Sequence, residues 1–582
     1  MGNKEIAILL KKIAVFKELA GENPFKIRAF EQASRIVESH FEDIFETARK
    51  GTLTEIRGIG KGVEEVILDY IETGKSTVLE KLSTSFPEGI LELLSIPGMG
   101  PKKVKAVWEK LGVSTVGELE YACKENRLIA LEGFGEKSQE KILKGIEFKK
   151  QYRGQYLISE ALNISKDVVS VLEVSGLFSN VQVAGSLRRG KTVFKDVDVV
   201  LVPVQGADPD RVKDALTRLA DGGKESEGVI AQGPTKVSIR RQGLQIDFRI
   251  IPEESFPAAL QHFTGSKDHN TQLRLRSKRM GLKMNEYGIF RDDNAISVRT
   301  EEEVYAAIKL GYIPPEIREA AGEIEAAESG SIPDLVEKDF IHGMIHVHST
   351  HSDGSNSIRT LAEECIKRGY SYLCLSDHSR SAFYANGLSE ERLAAQIKEV
   401  QALNDELAPF RIFCGIESDI LTDGALDYPD AVLGKLDFLI GSVHSRLSMK
   451  PEDATARLLK AISNPYLTIL GHISGRLLIS RKGYEYDEDQ VLDALLREKV
   501  VLEHNCNPHR LDPDWTLMKK AVHMGILISL GPDAHSIDGF DDMEYGLIMA
   551  RKGWVTKKGL LNCMTSEEIN EFFTRRKKEK GL

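Results

Sequence analysis

The stretch His346–Gly354, HVHSTHSDG, places three histidines and an aspartate within nine residues. Imidazole nitrogen beside carboxylate oxygen suits divalent transition metals, so partners are sought elsewhere in the chain. They recur at the ends of five further apolar runs or just beyond: SDH supplies His378, GIE Glu417, SVH His444, LGH His472, and PDAH Asp533 and His535. His346 and His348 lie two apart, on one face of a strand, and Asp353 follows in the next loop. With Asp377 set aside as the group that orients His378, this leaves nine ligands: His346, His348, Asp353, His378, Glu417, His444, His472, Asp533 and His535. That set is enough for three ions with a bridging carboxylate and positions left for water and phosphate. His351 and His504 fall at positions not expected to ligate. Clustered Mn²⁺ or Zn²⁺ would lower the pKa of a bridging water and direct hydroxide at a phosphoester. Eleven of the fourteen histidines lie at or after His342, which makes the C-terminal 240 residues chemically distinct from the rest.

A second constellation lies in VAGSLRRGKTVFKDVDVVLV, residues 183–202. On a strand, Asp196 and Asp198 share a face and can bridge two Mg²⁺ ions. Asp247 in LQIDFRII completes the site, suited to activating a 3′-hydroxyl under two-metal displacement. Gly185 and Ser186 form a turn with backbone donors, and Arg189 can pair with a triphosphate. HFTGSKDHN, residues 262–270, adds Phe263, Gly265 and Asn270, fit to hold a nucleotide.

A third pattern occurs three times: TEIRGIGKG, LSIPGMGPKK and LEGFGEK each run from an apolar residue through Gly-x-Gly into an amphipathic helix. The pairs are Gly58 and Gly60, Gly98 and Gly100, Gly133 and Gly135, with Lys102 and Lys103 beside the second. Such turns present N–H groups at a helix N-terminus, where phosphate oxygens are favoured without base readout.

These groups must be positioned by three kinds of architecture. Residues 5–150 show helical periodicity broken at glycine turns, and 155–315 alternate helices with β-branched runs. The acidic, Ala-rich 317–338 reads as a linker. Beyond it, seven short apolar runs alternate with helices and end in polar residues, the logic of a (β/α) barrel with its site at the strands' C-terminal ends. At 582 residues the chain exceeds one core. The six cysteines form no CxxC pair, so a reducing compartment and buried free thiols are expected. No run of 18 apolar residues occurs, so neither a signal peptide nor a membrane span is expected and a cytoplasmic protein is. The net charge of -10 is unusual for a binder of polyanions, but acidic metal ligands lower the sum without touching a basic face. The tail RRKKEKGL reads as a frayed, solvated end.

GS-x-RRG, the DxD and the isolated IDF, in that order, resemble the family X DNA polymerases over residues 5–315, and the histidine set resembles the PHP (polymerase and histidinol phosphatase) domain over 346–535. The resemblance implies a multi-domain chain: a helical lyase-like domain (1–85), helix-hairpin-helix fingers (86–150), an α+β nucleotidyltransferase palm (151–255), a thumb (256–316), the linker (317–338) and a distorted (β/α)7 PHP barrel (339–575). It implies catalytic metal binding by Asp196, Asp198 and Asp247, triphosphate contacts by Ser186 and Arg189, and nucleotide contacts by Phe263, Gly265 and Asn270. Gapped or primed DNA and dNTPs are the implied partners, with Mg²⁺ in the palm, up to three Mn²⁺ or Zn²⁺ ions in the barrel, and a monomeric state. The implied activity is gap-filling repair synthesis joined to a 3′-5′ exonuclease, AP endonuclease or 3′-phosphatase. Two positions depart from the family: Val66, which cannot form an imine, stands where lyase-active members carry a Schiff-base lysine, and His262 stands where tyrosine is frequent. Two other readings compete, a histidinol-phosphate-type phosphatase with a DNA-binding half and a DNA-binding scaffold with structural metals. Intact palm carboxylates weigh against the first, and ligands spread around the strand ends of the barrel weigh against the second.

Overall fold

The computed structural model describes the chain apart from residues 1, 2, 41, 88, 117, 118, 120, 121, 124–127, 129, 130, 132, 153, 222–227, 293, 383, 384, 480 and 481. It forms two compact units, Met1–Arg153 and Gly154–Leu582.

The first unit is helical. Its long opening helix α1 (Asn3–Leu19) serves two cores. Ile6, Leu10 and Ile13 pack with α2 (Lys61–Thr73) in one, while Phe16 and Leu19 pack with α3 (Pro101–Leu111) and α4 (Glu136–Tyr152) in the other. Val66 is buried in the first core, which fits its apolar character and leaves no amine at that place.

The second unit opens with a five-stranded sheet in the order β1-β2-β5-β4-β3, made of β1 (Phe178–Val183), β2 (Asp196–Pro203), β3 (Val229–Gln232), β4 (Lys236–Arg241) and β5 (Leu244–Ile250). Only β2 and β5 run parallel, and their register sets Asp198 opposite Asp247. A short helix, α5 (Gly185–Arg188), follows β1. Beyond the sheet, α6 (Phe256–Thr264), α7 (Lys267–Arg279) and a three-stranded meander build the thumb around Leu273, Ile289, Val304 and Tyr305.

Residues 317–338 are not a solvated linker. Ile317, Ile324, Ala327 and Leu335 enter the thumb core, and α8 (Glu323–Ser329) lies within the segment. Arg318 is fully buried, donating to the Ile313 carbonyl at 2.8 Å and to Glu301 at 2.7 Å. The four apolar side chains, spaced among acids and alanines, outweigh the segment's composition.

The C-terminal part carries the parallel strands β6 (Gly343–Val347), β7 (Tyr372–Leu375), β8 (Arg411–Cys414), β9 (Glu417–Asp419), β10 (Ile440–Ser442), β11 (Ile469–Leu470), β12 (Val501–Asn505) and β13 (Ile528–Gly531). The run RIFCGIES is one strand in sequence but two in space: β8 pairs with β7, and β9 pairs with β10. Bridges Val347–Ala534 and His378–Glu417 join the two sheets at both seams, which gives the distorted barrel. The helix α9 (Met543–Lys552) packs beside β13, and α10 (Ser566–Lys580) ends the chain.

The basic tail is therefore not frayed. In α10, Phe573 stacks on Phe438 at 5.3 Å and Ile569 joins the barrel-interior cluster with Ile345 and Val501. Arg576 donates to the carbonyls of Glu498, Lys499 and Leu467. All six cysteines are buried. Among the described residues, no helix is long and apolar enough to cross a membrane.

Candidate functional site

The barrel's nine sequence-predicted ligands gather at the strands' C-terminal ends. Three groups each bring their donor atoms within 4.8 Å of one another: His348, Asp353, His378 and His535; His346, His348, Glu417 and Asp533; His378, Glu417 and His444. His348, His378 and Glu417 each belong to two groups, so Glu417 stands where a bridging carboxylate is required. His472 joins them through Nε2, 3.0 Å from Glu417 Oε1.

His346 reaches this place by a break in strand alternation. Its φ is +67° and the β6–β7 register shifts between Ile345 and Val347, a bulge that aims the imidazole inward. Asp533 also has positive φ, at +54°. Such conformations cost about 1–3 kcal/mol each and persist where surrounding structure fixes them.

Two carboxylates not anticipated from sequence hold the ligands. Glu503 accepts from His346 Nδ1 and, through its other oxygen, from the His472 backbone N–H at 3.2 Å. Asp419 lies 2.5 Å from His444 Nδ1. In each case one imidazole nitrogen is fixed and the other faces the cluster, the arrangement that orients metal-bound histidine. The available signal for Asp419 was strand parity, two residues beyond Glu417 in the same strand, whereas the strand of Glu503 supplies none of the nine ligands. Asp377 proves to act differently from expectation. Its carboxylate accepts from the Ser349 N–H at 2.8 Å and from Ser352 Oγ and Gln396 Nε2 at 2.5 Å each, so it fixes the loop after β6 rather than His378. His351 pairs with Glu399 and His504 with the Pro513 carbonyl, both outside the three groups.

The electrostatics fit divalent cations. Burial pushes the Glu417 carboxyl up, but His444, His346 and His378 hold it well below the usual carboxylate range. Burial, with His535 and His378, lowers His348 to about 4, leaving a neutral imidazole. Burial opposes charge on His444 and His535, yet the surrounding carboxylates raise them to about 10 and about 9. An anionic pocket that draws protons onto its imidazoles is one that cations satisfy. His346 Nε2, buried and without a hydrogen bond, faces Glu417 and Asp533 oxygens at 3.4 and 3.5 Å.

In the palm, Asp196, Asp198 and Asp247 come together on neighbouring parallel strands, though their oxygens do not converge as tightly as the barrel groups. Burial raises Asp198 to about 6, Arg249 opposes this, and Asp247 and Asp196 add to it. Burial also pushes Asp247 up, but Lys236 at 2.7 Å and Gln245 at 3.0 Å reverse that and lower it. Gly185 has φ +62°, and a Cβ there would lie 2.6 Å from Asp198 Oδ2, so the turn meets the carboxylates only through glycine. Ser186 is partly exposed beside it. Arg189 is not presented outward: its Nε lies 3.1 Å from Glu319 Oε1 and Nη1 donates to the Thr264 carbonyl at 2.5 Å. Gly265 ends α6 with φ +70°. Phe263 lies under Arg249 at 4.9 Å and edge-on to His262 at 5.2 Å. Asn270 is committed within the fold, donating to the His262 carbonyl at 2.7 Å and accepting from Gln261 at 2.8 Å.

The three glycine turns share one geometry. Gly58, Gly98 and Gly133 have φ of +104°, +93° and +82°, and Gly60, Gly100 and Gly135 directly precede α2, α3 and α4. Lys102 is exposed, whereas Lys103 donates to Ser138 Oγ at 2.6 Å and ties the second turn to the third helix.

Comparison with known proteins places this arrangement. The chain is 40% identical over 581 residues to the DNA polymerase/3′-5′ exonuclease PolX of Bacillus subtilis (strain 168), covering 99% of this chain and 100% of that protein. The chain belongs to the PolX family. Its parts match a helix-hairpin-helix domain (1–76), a SAM-like helix-hairpin-helix tandem (90–147), a DNA polymerase beta thumb (259–319) and a PHP domain (345–505). The barrel half alone is similar to a probable phosphatase of Thermoanaerobacter sp. (strain X514), 26% identical over 40% of this chain and 96% of that protein. A probable phosphatase of Caldicellulosiruptor bescii is 28% identical over 34% of this chain and 80% of that protein. PolX membership thus joins a polymerase half to a metal-dependent PHP half in one chain, with the thumb match reaching Glu319, the third residue of the segment once read as a linker.

Proposed function

We propose that this PolX-family chain extends primer ends in gapped DNA from its palm and removes 3′-terminal nucleotides at its PHP barrel. The observation that carries the reading is the coexistence, in one chain, of palm carboxylates in register on β2 and β5 and nine convergent ligands at the barrel mouth. The PolX relative named for both activities supports it over the whole length.

In the palm, Asp196, Asp198 and Asp247 would hold Mg²⁺, with Asp247 nearest the 3′-hydroxyl of the primer. The N–H groups of the turn at Gly185 and Ser186 receive phosphate oxygens of a dNTP, while Phe263 offers a face to the sugar or base. The exposed Lys102 and the helix N-termini after the three glycine pairs hold DNA backbone without reading sequence.

In the barrel, the three groups would hold up to three Mn²⁺ or Zn²⁺ ions, which supply Lewis acidity and a low-pKa water when bound. His346 and His444, fixed by Glu503 and Asp419, keep their second nitrogens turned inward. Arg510, whose Nε is 3.7 Å from Asp533 Oδ2, is placed to meet a phosphate at the rim.

A recessed primer incubated with dNTPs, first with Mg²⁺ and then with Mn²⁺, tests both halves. Lengthening and shortening are both expected from the wild type. Asp196→Ala combined with Asp198→Ala should abolish lengthening and leave shortening. Loss of both activities in a normally folded variant would refute separate sites.

A further inference from the structure

The barrel's helix α9 ends against the nucleotide turn of the palm. Lys552, 2% exposed, directs its ammonium to three oxygens: the Arg189 carbonyl at 2.8 Å, Glu319 Oε1 at 2.5 Å and the Glu316 carbonyl at 3.2 Å. Its three donors are thereby used. Glu319 Oε1 is the same oxygen that takes Arg189 Nε at 3.1 Å. The neighbouring Arg551 donates to Glu316 at 2.6 Å, and Gly190, φ +65°, would place a Cβ 2.3 Å from Ile548 Cγ2 of the same helix. The turn 185–190 is therefore held from outside the palm, by a residue of the PHP half.

The charges decide what this contact does. One carboxylate, Glu319, is shared by two cations, Arg189 and Lys552, so the buried cluster keeps one unbalanced positive charge beside the turn that would receive a triphosphate. Arg189 itself is buried and spent on Glu319 and the Thr264 carbonyl, so what these contacts hold in place is the turn whose N–H groups would meet phosphate.

We infer that Lys552 is a positioning residue for nucleotide addition: by donating to the Arg189 carbonyl and sharing Glu319 with the Arg189 side chain, it fixes the turn 185–190 in the form that receives the incoming nucleotide's phosphates. This rests on the reading that the palm adds dNTPs. It makes the PHP half a structural part of the polymerase site as well as a second active site.

The full-length chain carrying Lys552→Met, which keeps the stem and removes the charge, tests it. KM for dNTP on gapped DNA should rise about tenfold, the weight of one hydrogen bond to a charged group, with a smaller change in kcat. Hydrolysis of bis(p-nitrophenyl) phosphate at the barrel should be unchanged, which also reports folding. Lys552→Arg, which restores a charged donor to the Arg189 carbonyl and Glu319, should hold KM near wild type, a recovery that loss of packing would not produce. An unchanged KM in Lys552→Met, or a tenfold rise in Lys552→Arg, overturns the inference. If Lys552→Met does not fold, Lys552→Gln, which keeps a donor without the charge, takes its place, and an unchanged KM there overturns it equally. A wild-type chain that adds no nucleotide at all fails the polymerase reading itself, a distinguishable result.

Discussion

His346 is held from both sides, Nδ1 to Glu503 and Nε2 toward Glu417 and Asp533, on backbone that L-residues avoid. Glu503→Gln keeps the shape and removes the charge that orients this imidazole. Metal affinity at the barrel, measured by titration after chelator treatment, should fall about 10- to 100-fold, with exonuclease activity following and primer extension unaffected. Extension lost alongside would mean that Glu503 supports the whole unit rather than one ligand. Gly185 offers the matching experiment in the palm. A methyl group there meets Asp198 and forces positive φ on an L-residue, so Gly185→Ala should lower extension more than tenfold, on the order of the 1–3 kcal/mol such strain costs, while barrel hydrolysis persists. The ligands themselves were legible because chemistry fixes their type and strand ends fix their spacing. Glu503 and Asp419 were not, because a carboxylate that orients a histidine looks in sequence like any acid on a strand.

At the scale of elements, segment 317–338 shows where composition misleads. Acids and alanines suggest solvent, yet Glu323 is fully buried, accepting from the Ala320 and Ala321 N–H groups at 2.8 and 2.7 Å and lying 2.7 Å from His269 Nδ1. His269 in turn meets Tyr305 Oη at 2.9 Å, so one carboxylate ties the former linker to two thumb helices. Glu323→Ala should destabilise the thumb by about 3 kcal/mol, because it leaves several buried donors unmet. Chemical denaturation followed by a thumb-specific probe would register this, and a change under 1 kcal/mol would show the segment to be dispensable packing. The strand run RIFCGIES misleads in the opposite direction. Its continuous apolar pattern gives no sign that Gly415 divides it between two sheets, because the division is dictated by closure of the barrel and not by local propensity.

At the scale of the molecule, palm and barrel share one continuous apolar core, from Ile158 through Phe248 to Val347 and beyond, which no one-dimensional pattern reveals. The same long-range packing explains α10: five basic residues predict a solvated end, but Phe573 and Ile569 plug the barrel and Arg576 is drawn in with them. Burial on this scale also buries ionisable groups that have no part in catalysis, and His504 is the clearest. It is fully buried, Nδ1 is 2.9 Å from the Pro513 carbonyl, and Nε2 has no hydrogen-bond partner, so a proton on Nε2 would place a bare charge in the core beside Arg476. Burial first, then Arg476, lower its pKa from 6.5 to about 3. Above pH 6.5 both folded and unfolded chains hold a neutral imidazole. Between there and about 3 the unfolded chain takes up a proton that the folded chain refuses, so stability falls as pH falls through that window. At pH 5 the loss from this group alone is about 2 kcal/mol. His504→Gln can still donate to the Pro513 carbonyl and does not titrate. Its unfolding free energy should therefore drop by about 2 kcal/mol less than wild type between pH 7.5 and pH 5, whatever its absolute stability. Equal pH dependence in the two proteins would show that His504 is protonated within the fold, with water or a rearranged neighbour meeting the charge.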